Sequence, residues 1–361
     1  MHFNQLSNKF RSLLDSGISI ELISSPGLGK STFVDDQIAI QSKADGFEWG
    51  SSKLFLATQT PPDLLGYIMK GDMQTANGVI PVSTPTLPGW MITSTGKPVW
   101  EYKRGVLLLD EYGQGEADVK RASAELLLNR QLGPWKLPPG WSVVACSNRS
   151  SDRSGVTKSF DFVINRRLEI NITPDLQSFE DWAFEAGVHP LFITFANQNP
   201  QIVFEGKVPE KQGPWCTPRS LVMLERLFKG LSPDGGETMP DDAEASELAA
   251  GMIGEAATAQ LITFIRLGNE MPKFEQIVKN PKDVKLPDRP DARMLVTYNL
   301  ASRVTKATAA PVVQYMERMP KEFAVTFCKS AVKREPKLVF EPAFSDWAKK
   351  NATLLTALVG D

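Results

Sequence analysis

Nine consecutive residues, Ser24-Ser25-Pro26-Gly27-Leu28-Gly29-Lys30-Ser31-Thr32, have the types and spacing to hold a phosphate. Gly27 and Gly29 let the backbone wrap closely enough for its N–H groups to point at phosphate oxygens. Lys30 is spaced to reach the β- and γ-phosphates of a nucleotide, and the Ser31 hydroxyl to complete a Mg²⁺ shell. Pro26, Leu28 and Thr32 complete the expected binding loop. The usual pattern begins with a glycine where this chain has Ser24, a position that asks for a tight turn rather than phosphate contact. A second pair, Asp110-Glu111, follows the apolar run Val106-Leu107-Leu108-Leu109. Asp110 is expected to hold Mg²⁺ through water, and Glu111 to orient and deprotonate a water attacking the γ-phosphate.

These residues need a scaffold that brings them to one edge. The apolar run Ile18–Ile23 leads into the loop, and a helix-compatible run, Phe33–Ser42, leaves it, where the helix dipole adds positive potential. Lys53–Thr58, Arg104–Leu109, Trp141–Asn148 and Arg167–Ile172 are further strand candidates, interleaved with helical stretches. The four apolar residues before Asp110 suit a strand buried on both faces, as in a parallel sheet, with its ligands at the carboxyl end. A doubly wound α/β domain is expected. Phe3, Leu6, Phe10, Leu13 and Leu14 predict an amphipathic helix packed on that domain.

Two stretches break the pattern: about 70–100, rich in Gly, Pro, Thr and Ser, and 131–141, which suits a short hairpin. After residue 174 the chain reads as helical, with a long Ala-rich helix over 243–268, a Pro/Lys/Asp linker over 279–290 and amphipathic helices over 292–305, 310–319, 321–334 and 342–358. Three parts are expected: a nucleotide-binding domain over 1–173, a small helical lid over 174–278 and a helical extension over 279–361.

The chain has 361 residues, 42% of them apolar and 23% charged, with a net charge of -2, so no whole-protein pull toward nucleic acid or anionic membrane is visible. Cys146, Cys216 and Cys328 are far apart, without metal or disulfide spacing. His2 and His189 are isolated, which argues against histidine-centred catalysis. Residues 1–15 carry no signal-peptide core, and no apolar run approaches the roughly 18 residues of a membrane span. A cytoplasmic protein without membrane attachment is expected.

Taken together, the segments resemble an AAA+ ATPase and, within that class, the MoxR-like branch. The resemblance covers about residues 1–230 and rests on Ser25–Thr32, Asp63-Leu64-Leu65-Gly66, Leu107–Glu111, Ala145-Cys146-Ser147-Asn148 with Asn165-Arg166-Arg167, and Thr217-Pro218-Arg219-Ser220-Leu221, in this order. It implies an αβα P-loop domain with a parallel sheet, an all-helical lid, ATP and Mg²⁺ as ligands, and a homo-oligomeric ring, expected to be a hexamer. By the same resemblance Asn148 is the sensor that binds the attacking water or γ-phosphate. Arg166 is the arginine offered to a neighbouring subunit's nucleotide, with Arg149, Arg153 and Arg167 as rivals. Arg219 is the lid arginine that reaches the γ-phosphate in its own chain, and Thr217-Pro218 supply the helix start it needs.

The two insertions would face the ring axis, where Trp90, Trp100, Trp135 and Trp141 are candidates to grip a polypeptide, as an alternative to packing inside their own domain. The output implied is mechanical remodelling or maturation of a protein partner or adaptor, by resemblance often one with a von Willebrand A-type domain. A nucleic-acid motor on the same core is the chief alternative. A nucleotide-gated scaffold and a small-molecule kinase fit less well.

Overall fold

Val106 to Leu109 send their side chains alternately to opposite faces of one sheet, and all four are buried. Val106 and Leu108 join a core with Leu6, Phe10, Leu22, Val34 and Val144. Leu107 and Leu109 join another with Leu64, Val119, Leu126, Val143 and Trp141. A strand apolar on both sides needs helices on both sides, and the chain supplies them.

The structure, a computed structural model, describes residues 1–152, 155–156, 161–205 and 213–351. They fall into two compact units, Met1–Asp175 and Leu176–Asp361. In the first unit, the strands are β1 (Ile20–Ser24), β2 (Gly50–Phe55), β3 (Ile68–Thr75), β4 (Gly78–Pro85), β5 (Gly105–Asp110), β6 (Gln131–Leu132), β7 (Trp135–Lys136), β8 (Trp141–Asn148) and β9 (Leu168–Asn171). Its helices are α1 (Phe3–Asp15), α2 (Lys30–Asp45), α3 (Pro61–Leu65), α4 (Ala117–Asn129) and α5 (Asp161–Ile164). Five strands form one parallel sheet in the order β2-β5-β8-β1-β9. The α/β expectation holds, and the sheet's five strands are the five that the apolar runs mark.

Boundaries moved where serine is buried. The second strand begins at Gly50, not Lys53, because Ser52 Oγ is satisfied inside by the carbonyl oxygens of Trp90 at 2.8 Å and Ile92 at 3.2 Å. Gly50 and Gly105 are required beside Trp141: a Cβ at either would stand 2.5–2.6 Å from the Trp141 ring.

The 70–100 stretch contains a two-stranded hairpin, β3–β4, paired Ile68↔Pro85 through Thr75↔Gly78. Directly opposite residues share a face, so Met69, Met73, Val82 and Ile80 lie together, and Met69, Met73 and Ile80 are exposed. The tryptophans largely do the opposite of gripping. Trp90 is 1% exposed and donates through Nε1 to Leu64 O at 2.8 Å, and Trp141 is 0% exposed. Trp135 Nε1 donates to Leu65 O at 3.2 Å, and only Trp100 is widely exposed, at 56%.

The second unit is helical: α6 (Leu176–Glu185), α7 (Pro190–Gln198), α8 (Pro200–Val203), α9 (Pro218–Leu231), α10 (Ala243–Ile253), α11 (Glu255–Asn269), α12 (Phe274–Lys279), α13 (Pro290–Arg303), α14 (Ala309–Met316), α15 (Lys321–Arg334) and α16 (Pro342–Lys350). It holds two cores, one built mainly from α6, α7 and α9–α11, the other from α12–α16. The expected helix over 243–268 is two helices, broken at Gly254, whose φ of 81° and 2.8 Å clearance between an added Cβ and Pro214 O admit only glycine. The last expected helix, 342–358, is described to Lys350, and residues beyond 351 lie outside the described residues.

Candidate nucleotide site

The carboxyl ends of β1, β8 and β5 lie side by side, and every chemistry-bearing residue of the first unit named above except the arginines sits there. Ser24 and Asn148 are register partners at the ends of β1 and β8. Between β1 and α2 the loop turns twice through left-handed backbone, at Gly27 (φ 77°) and Gly29 (φ 89°). Nothing stands within 4 Å of where a Cβ of Gly29 would be, so the loop leaves open space on that side. α2 then starts at Lys30 with Gly29 as its cap residue, putting unpaired backbone N–H groups at the loop.

Lys30 is buried at 7% exposure, and its Nζ donates to Asn148 Oδ1 at 3.0 Å, Ser24 Oγ at 3.0 Å, Ser24 O at 3.2 Å and Ser25 O at 3.3 Å. The serine in the first-glycine position therefore has a task that its place in the pattern did not disclose: its hydroxyl helps hold the lysine at the strand ends. Ser31 Oγ lies 2.8 Å from both carboxylate oxygens of Asp110. A hydroxyl and a carboxylate converging this way fit Mg²⁺, a cation that keeps most of its shell from phosphate and water. Among the described residues no group of three or more His, Cys, Asp or Glu could hold a metal ion.

Glu111, next to Asp110, is exposed and held in the left-handed region at φ 50°, ψ 36°. Its N–H donates to Asp110 Oδ1 at 3.0 Å, and a one-turn 3₁₀ segment, Tyr112–Gln114, follows. A side chain with a Cβ enters this conformation only where its surroundings impose it.

The arginines separate. Arg167 is internal, its side chain 3% exposed, paired with the buried carboxylate of Glu21 and, at 3.0 Å, with Glu169. Its guanidinium also lies 5.3 Å from the Tyr112 ring centre. Arg149 donates to Ile172 O at 3.3 Å. Arg166 is half-buried in the turn between α5 and β9, and Arg153 lies outside the described residues. Arg219 belongs to the second unit, exposed in the first turn of α9, with Thr217 as the cap accepting from Ser220 N at 3.1 Å.

A buried polar group behind the site was not foreseen. Glu21, on the α4 side of β1, accepts from Arg167 and from Ser147 Oγ. Lys120, in α4, is fully buried, and its Nζ donates to Gly113 O at 2.7 Å. Burial pushes the Lys120 ammonium down to about 8, with Glu21 opposing that shift and Arg167 adding to it. The signals were present: a glutamate between Ile20 and Leu22, and a lysine beside Val119 on an apolar helix face.

No protein-family model matches the chain, and no curated protein matches it. Among solved structures it is similar to two mutants of Thermotoga maritima RuvB, each at 10% identity. One has a TM-score of 0.38 over 78% of this chain and 76% of that one; the other has 0.34 over 79% and 78%. It is also similar to NtrX of Brucella abortus in complex with ATP, at 12% identity and a TM-score of 0.33, over 91% of this chain and 67% of that one. No helix among the described residues is long and apolar enough to cross a membrane.

Proposed function

We propose that this chain is an ATP-hydrolysing AAA+ protein of MoxR type, which assembles into a ring and uses turnover to remodel a protein partner. The observation that carries the reading is the convergence of Lys30, Asn148, Ser31 and Asp110 at adjacent strand ends, with Glu111 beside them. Lys30 would transfer its hydrogen bonds from Ser24 and Asn148 to phosphate oxygens, neutralising charge that builds up as the terminal phosphoryl group departs. Asn148 orients the attacking water and Glu111 takes its proton. Ser31 and Asp110 would hold Mg²⁺, whose contribution is to screen the phosphate charges.

By the family resemblance, and from its half-buried place in the turn before β9, Arg166 is the residue we assign to a neighbour's nucleotide, a role worth on the order of 10³–10⁵ in rate for an arginine finger. Arg219 is assigned to the γ-phosphate in its own chain. The proposed handle on the partner is the β3–β4 hairpin with Met69, Met73 and Ile80 rather than the tryptophans, three of which are held by their own domain.

Calorimetric titration with ATP and Mg²⁺ tests the binding half of the proposal. The wild type is expected to bind and Lys30→Ala to lose binding by about 100-fold or more, as removal of a buried charge contact of 3 kcal/mol or so implies. A wild type that binds no nucleotide, or a variant that binds equally well, rejects the site.

A further inference from the structure

Lys120 stands where a cation is doubly disfavoured. It is fully removed from water, and it lies in the first turn of α4, near the positive end of the helix dipole. Its ammonium reaches back to Gly113 O at 2.7 Å, in the short turn that follows Glu111. That turn is fixed from two sides. On one, Gly113 is pressed against β8, where an added Cβ would come within 3.3 Å of Ser147 Cβ. On the other, Lys120 pulls on its carbonyl, with the Tyr112 ring 5.9 Å from the ammonium. Within the turn, Gln114 N donates to Glu111 O at 3.0 Å and Gly115 N to Tyr112 O at 3.2 Å, so displacement of Gly113 is transmitted to the Glu111 backbone.

We propose that Lys120 is a positioning residue for Glu111: through the Gly113 carbonyl it holds the turn that keeps Glu111 left-handed at the end of β5. The inference rests on the reading of Glu111 as the base of an ATPase. Glu111 needs an external constraint because its conformation is unfavourable for any residue with a Cβ. A lysine supplies that constraint from inside the domain, without touching nucleotide, on a helix that ends far along the chain at Asn129. Glu21, which pairs with Arg167, lies on the same side of the sheet and opposes the effect of burial on the Lys120 ammonium.

The test compares the wild type, Lys120→Met, Glu111→Gln and the double variant, measuring phosphate release, ATP affinity and thermal unfolding. Methionine keeps the volume and removes the charge. Lys120→Met is expected to lower kcat by about 10- to 100-fold, part of what a positioned base contributes, with KM and ATP affinity within about twofold of wild type. The double variant is expected to be no slower than Glu111→Gln alone, because a residue that acts through Glu111 has nothing left to position. Wild-type kcat in Lys120→Met, or a double variant slower than Glu111→Gln by the full factor seen in the single, overturns the proposal. If Lys120→Met does not unfold cooperatively, Lys120→Leu, which likewise has no donor, is held to the same two criteria. A wild type that releases no phosphate overturns the ATPase reading itself, an outcome distinct from an active wild type with an indifferent Lys120.

Discussion

Replacing Glu21 by leucine strands the Arg167 guanidinium inside the first unit, and the structure sets the size of the penalty. Both side chains are nearly dry, at 3% and 4% exposure, and removing one partner of such a pair costs about 3–5 kcal/mol. Arg167 keeps Glu169 at 3.0 Å and the Tyr112 ring, which argues for the lower end of that range. Ser147 Oγ also loses its acceptor, adding about 1 kcal/mol. The expected total is about 4 kcal/mol, or a fall in melting temperature of about 8–16 °C at 2–4 °C per kcal/mol for a unit of this size. Arg167→Leu should cost a similar amount. The double variant, which replaces the pair by apolar groups, is expected within about 1 kcal/mol of wild type, giving a coupling energy of several kcal/mol. Urea unfolding of the four proteins, followed by tryptophan fluorescence, measures the cycle. A Glu21→Leu protein within 1 kcal/mol of wild type, or additive losses in the double, would refute the internal assignment of Arg167 and reopen it as the arginine offered to a neighbour.

The second unit carries a pH signature. His189 Nδ1 accepts from Leu191 N at 3.2 Å, and burial, with Lys229 and Arg303 adding to it, pushes its imidazole down to about 4. Between that value and about 6.5 the unfolded chain binds a proton that the folded one does not, so stability falls as pH drops through this window, by up to about 3 kcal/mol. His189→Asn, which keeps a capping acceptor, should flatten the slope relative to wild type in parallel denaturant titrations. The tryptophans divide by burial: Trp141→Ala, at 0% exposure, is expected to cost about 3–5 kcal/mol, and Trp100→Ala, at 56%, no more than about 0.5 kcal/mol. Equal losses from the two in thermal unfolding would contradict the packing described.

Strands β5 and β8 were legible because they are apolar on both faces and too short for a buried helix. The loop was legible because glycine spacing before Lys30-Ser31 answers to one chemistry. Tryptophan placement was not: the sequence left Trp90 and Trp141 open between gripping a polypeptide and packing in their own domain, and only the tertiary fold shows Gly50 and Gly105 making room for the Trp141 ring. Nor was the role of Ser24, since its hydroxyl matters only once β1 and β8 are adjacent and Lys30 folds back between them. The Glu21–Arg167 pair joins residues 146 positions apart, a distance over which periodicity carries no information. Gly254 was overlooked within an Ala-rich run because a single glycine in a helix pattern signals a break only when the close approach of Pro214 is known.

The proposed function has Glu111 turning over ATP within a site completed by a second subunit. It is tested most directly by solution mass of the wild type and of Glu111→Gln, each with and without ATP and Mg²⁺, alongside phosphate release. The expected result is an active wild type, and a variant that retains ATP, forms a stable ring and releases phosphate at least about 100-fold more slowly. A variant that binds ATP yet stays monomeric would contradict the shared site and the part given to Arg166, and one that hydrolyses at the wild-type rate would remove Glu111 from the chemistry.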